Sequence, residues 1–119
     1  MKLTVEETFN ISQGLNTLLD KELPTPVALS IQRNFKKVRE EAEAANAVRN
    51  NLAERYKAYT DENGYFKDDK KKAEYNKELK ELYDQTVEIE LNSIKLSDLG
   101  EYMKPRTLGL IEKIIEEEK

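Results

Sequence analysis

The chain of 119 residues contains no cysteine and no histidine. Without cysteine there are no disulfides, and nothing points to an oxidising compartment. Without both, the usual zinc ligand sets are missing and histidine acid–base chemistry is excluded. The four glycines form no phosphate-cradling run. Carboxylates are abundant, but no pair sits in an apolar setting that would tune a pKa. No enzyme activity, cofactor or metal is therefore expected. No apolar run approaches the roughly 20 residues of a membrane span. The first residues, MKLTVEETFN, are acidic and unlike a signal peptide. These points predict a soluble, cytoplasmic protein.

Charge, by contrast, is plentiful. Charged residues make up 37% and hydrophobic ones 38%, so the core must run in thin stripes. The net charge of −4 argues against general binding to nucleic acid or anionic membrane. Lys70–Lys72 and the set Arg33, Lys36, Lys37 and Arg39 are the basic candidates. The second is interleaved with Glu40 and Glu41, and neither makes a coherent positive face.

The longest pattern runs from Thr25 to Tyr59. Ala28, Ile31, Phe35, Val38, Ala42, Ala45, Arg49, Leu52, Tyr56 and Tyr59 recur at steps of three and four, a heptad seam broken only by Arg49. Thr25 can cap this helix and Pro26 can take its first position. A helix over 26–59 would be roughly 50 Å long. A compact domain of this size spans only about 35 Å. The helix must overhang, as half of a hairpin or as a strand of an oligomer. Arg49 either packs its stem while its head reaches solvent, or is a register-setting polar residue, or contacts a carboxylate across a subunit interface.

Around this helix the other elements fall in order. Thr4 and Glu7 form a capping-box pattern ahead of a helix over about 5–21. Gly14 inside it marks close packing on another helix or is simply tolerated. Pro24 and Pro26 force a short extended link. Asn63-Gly64 marks a turn. The string around it faintly resembles a calcium loop, but Tyr59 and Lys70 stand where Asp and Glu are required. A helix over 70–85, capped by Asp68 or Asp69, would fold back antiparallel on the long one. Val87, Ile89 and Leu91 alternate, as do Ile94 and Leu96, which predicts a small two-stranded β element, a hairpin, over 86–96. Pro105 opens a last helix over 105–117, followed by a frayed acidic tail to Lys119.

The fold expected is mainly α: one domain with a long antiparallel helical hairpin, flanking terminal helices and a small two-stranded β element. Tyr56, Tyr59, Tyr65, Phe66 and Tyr75 gather near the hairpin turn, where they plug its end or form an interface. Tyr56, Tyr59, Tyr65 and Phe66, with Arg49, are the candidate partner or oligomer contacts. The expected function is protein–protein interaction or assembly, with self-association into a homo-oligomer through the helical seam or the strand edge. A small inhibitor of a host or defence protein is the alternative, and a nucleic-acid accessory protein the third.

The pattern Leu15, Leu18, Leu19, then Glu22-Leu23-Pro24, then Ile31-Gln32-Arg33-Asn34 resembles short proteins of unknown function encoded by tailed phages and prophages of Gram-positive bacteria. The string VEIELNSIKLSDL, followed by an isoleucine-rich helix, is similar to the close of such proteins. The resemblance implies a phage or prophage origin, residence in the host cytoplasm and no enzyme activity. It implies no particular functional residue.

Overall fold

The long helix α2 runs from Thr25 to Tyr56 and continues as a 3₁₀ turn over Lys57–Tyr59. The computed structural model describes residues 1–100 and 103–116. It measures 52 × 28 × 24 Å, so α2 sets the long dimension. Thr25 is the first helical residue and Pro26 the second. No side chain caps this end; the Pro24 carbonyl accepts from Ala28 N–H at 2.9 Å instead.

Two helices share the inner face of α2. Ahead of its first half lies β1 (Lys2–Thr4) and then α1 (Val5–Leu18), which stops three residues short of the expected end. The capping box is present: Glu7 N–H donates to Thr4 Oγ1 at 3.1 Å and Thr4 N–H donates to Glu7 Oε1 at 2.9 Å. Along the second half lies α3 (Asp69–Tyr83), N-capped by Asp68. The antiparallel hairpin of α2 and α3 and the mainly α architecture match the pattern in the sequence.

The β element differs from a local hairpin. Strand β2 (Thr86–Glu88) pairs antiparallel with β1, Leu3 opposite Val87. Strand β3 (Ile94–Lys95) pairs parallel with β4 (Ile115–Glu116). The residues between β2 and β3 cannot turn back because they are held on α2. Asn34 Nδ2 donates to the Asn92 carbonyl, and Asn92 N–H donates to Asn34 Oδ1, both at 2.8 Å. Each short strand therefore takes its partner from a chain end, a non-local choice that alternation cannot announce.

The last helix is also shorter than the pattern over 105–117. It comprises α4 (Pro105–Ile111), then a 3₁₀ turn over Glu112–Ile114, then β4. Tightening lets Ile111 and Ile114 both face inward while Ile115 joins the sheet. The end of the expected acidic tail, 117–119, lies outside the described residues.

Gly14 is a packing residue. A Cβ there would lie 2.5 Å from Ile111 Cγ2 and 3.0 Å from Leu110 Cβ. Its absence lets α4 close on α1. The main core joins Leu3, Ile11, Leu15, Ile31, Val38, Ile89, Ile94, Leu99, Ile111 and Ile114. It draws on the termini, α1 and the first half of α2, and on no residue of α3.

Candidate interaction surface

The free end of the hairpin is built around a short latched loop. Asp61 Oδ1 accepts from Asn63 N–H at 2.9 Å and from Tyr65 N–H at 3.0 Å. Asp61 N–H donates to the Tyr65 carbonyl at 2.8 Å, and Lys67 N–H to that of Tyr59 at 3.0 Å. Gly64 sits at φ 84°, where only a residue without Cβ is at ease. The Asp61 carboxylate is thus engaged by backbone N–H groups, a turn's use of Asp. Among the described residues no group of three acidic side chains gathers in a way that could hold a metal ion.

This latch gathers four rings. Tyr56 lies 5.5 Å from Tyr75, 6.1 Å from Tyr59 and 6.4 Å from Phe66, and Phe66 lies 5.4 Å from Tyr75. Edge and tilted contacts at these distances are attractive. Tyr56 Oη donates to Glu78 Oε2 at 2.6 Å, and the accepting carboxylate pushes the phenol pKa up to about 12. Lys71 Nζ sits 4.7 Å over the Tyr59 ring and 3.3 Å from Glu74, whose carboxylate holds the ammonium charged to higher pH than usual. The basic run 70–72 is partly absorbed in this way. Tyr65 stands outside the cluster, 71% exposed, and Tyr59 is 40% exposed. A cleft of about 320 Å³ opens between Tyr56, Phe66, Tyr75 and Ala53.

Arg49 lies elsewhere, at the junction of the three long helices. Its guanidinium carbon sits 4.6 Å over the Phe9 ring. It donates to Asn46 Oδ1, and at 3.3 Å to Tyr83 Oη. Phe9 and Tyr83 meet edge to face at 6.0 Å. The polar break in the seam is thus occupied within the chain, by α1 and α3 together. Of the five candidate contacts, the structure brings Tyr56, Tyr59 and Phe66 into one cluster, sets Tyr65 beside them in solvent, and keeps Arg49 apart.

Two features escaped the sequence reading. Asn34 is completely buried, while Phe35, the seam residue beside it, is only half-buried. Helical spacing allows either, and the demand of Asn92 decides it. Val48 lies outside the seam and is 51% exposed, beside a groove of about 220 Å³ between α2 and α3. Its only signal is an apolar residue adjacent to the stripe.

Compared with family models, curated proteins and solved structures, the chain matches none. Among the described residues no helix is long and apolar enough to cross a membrane.

Proposed function

We propose that this chain is a non-enzymatic interaction or assembly protein, of phage or prophage origin, that self-associates through its distal half. One observation carries the reading. Ile31, Val38 and Leu52 of the seam are all at most 3% exposed within a single chain, yet Val48, Tyr59 and Tyr65 on the same half of the molecule as α3 remain in water. With the seam filled within the chain, we assign contact with another molecule to the flank and tip of the hairpin. Aromatic side chains are enriched at such contacts. Light scattering on a sizing column over a concentration series tests it. A mass rising toward two or more copies is expected, and a monomer at every concentration would overturn it.

A second reading has its own observation. Tyr65 is a solvent-facing ring on a hydrogen-bonded turn at the far end of a 52 Å molecule, suited to reach into a pocket of a different protein. Under this reading, an inhibitor of a host protein, Tyr65→Ala abolishes capture of one specific host protein. Capture that is unaffected by Tyr65→Ala would refute it.

A further inference from the structure

The turn at the tip of the hairpin joins residues whose chemistry occurs nowhere else in the chain. Asn63 is followed by Gly64, and both are exposed. The other asparagines lie inside α1, α2 and α3, apart from Asn92, whose backbone N–H and carbonyl are both held by Asn34. None of them precedes a glycine. The Asn63 side chain has no hydrogen-bond partner among the described residues. A Cβ built on Gly64 meets nothing within 4 Å, so a ring can close there without a clash. We propose that Asn63-Gly64 is a self-modification site, at which water and hydroxide convert the Asn63 amide to aspartate and isoaspartate.

Asparagine is a thermolabile residue because the next backbone nitrogen can attack its amide. Hydroxide takes the Gly64 N–H proton, and the nitrogen attacks Asn63 Cγ. The side-chain nitrogen leaves as ammonia, taking a proton from water, and a cyclic imide remains. Water then opens the imide at either carbonyl. Opening at Cγ gives an ordinary aspartate. Opening at the backbone carbonyl leaves the chain running through Cβ and Cγ, with a carboxylate on Cα. Glycine favours the attack because no Cβ shields its nitrogen and its backbone reaches angles closed to other residues. In a helix the following N–H is committed to the ladder, which protects the other asparagines.

The fold governs both the rate and the consequence. The attacking nitrogen donates to the Asp61 carbonyl at 3.1 Å, and Asp61 Oδ1 holds the N–H groups of Asn63 and Tyr65 on either side of it. The turn must open before the ring can close, so the reaction is gated by the latch. Isoaspartate adds a carbon to the backbone, which moves Gly64 and Tyr65 out of register with Asp61. It also places a new carboxylate beside Asp61 and Glu62. The modification is a one-way change in the surface that carries Tyr65, whatever that surface meets.

The test is to age the wild-type protein in warm, mildly alkaline buffer and map it by peptide mass spectrometry, with isoaspartyl methyltransferase marking isoaspartate. Position 63 should convert at least about tenfold faster than any other asparagine, since a loop opens far more often than a helix. It should convert about tenfold slower than in the free peptide spanning 60–67, because a turn hydrogen bond must first be given up. Asp61→Ala weakens the latch and should move the protein toward the peptide's rate. Amide exchange over 61–67 should quicken in the aged protein while α1 is unchanged. An intact Asn63 after the peptide has converted fully would overturn the proposal, and so would equal conversion of Asn63 and Asn92. A protein that converts as fast as the peptide, or is indifferent to Asp61→Ala, would overturn the gating by the latch.

Discussion

The two ends of α2 are held in different ways. At the proximal end, α1, α4 and both short sheets converge on Ile31 and Val38, with contacts from both ends of the chain and from the segment after α3. At the distal end α2 meets α3, which has no fully buried residue, and is fastened by rings, one tyrosine–carboxylate bond and a latched loop. The first is a packed core whose stability comes from area removed from water. The second has few buried apolar contacts, the kind of region expected to open before the rest. Such an arm is where a protein of this size can afford a binding surface.

Cutting buried side chains at each end separates the two regimes most widely. Leu15→Ala, at a fully buried position, should cost about 3 kcal/mol in chemical denaturation. Leu79→Ala, at a half-buried position on α3, should cost about 1 kcal/mol. Similar losses would erase the distinction.

Next in size is the Asn34 latch. Asn34→Ala leaves the Asn92 N–H and carbonyl without their protein partner, at about 1–2 kcal/mol. Because Asn92 holds the segment between β2 and β3, the variant should also speed amide exchange over 89–95 while leaving α3 unchanged. Unchanged exchange there would show that β1 and β4 alone fix those strands.

Last comes a charge at the proximal end. The Lys113 ammonium beside Glu7, with the Thr4 N–H, holds the Glu7 carboxyl below its ordinary value of 4.5. A depressed carboxyl contributes stability that is present above its unfolded pKa and lost as pH falls through the folded one. Stability should therefore drop below about pH 4.5, and Glu7→Gln should lower neutral stability and shallow that drop. An unchanged acid limb in Glu7→Gln would remove Glu7 from the account.

The same contrast explains what the sequence made legible. Local devices were readable: the Thr4–Glu7 box, the proline break before α2, the Asn63-Gly64 turn and the seam of α2. Each depends on residues within four or five positions of each other. The pairing of β2 with β1 and of β3 with β4 was not, because the partners lie at the chain ends and alternation carries no address. Asn34 was hidden because its reason for being buried is a backbone far along the chain. At the candidate surface, the tyrosine cluster followed from the hairpin, since Tyr56 and Tyr75 must meet once α3 folds back. The place of Arg49 between Phe9 and Tyr83 required knowing that α1 and α3 meet at the same turn of α2.

The most direct measurement is amide hydrogen exchange along α2, read residue by residue at low and at high protein concentration. In dilute solution, positions 31–45 should exchange near the global unfolding rate and positions 48–56 much faster. At high concentration the distal set should slow while the proximal set stays fixed. Uniform protection along the whole helix in dilute solution, insensitive to concentration, would contradict both the two-regime account and the proposed role of the distal half.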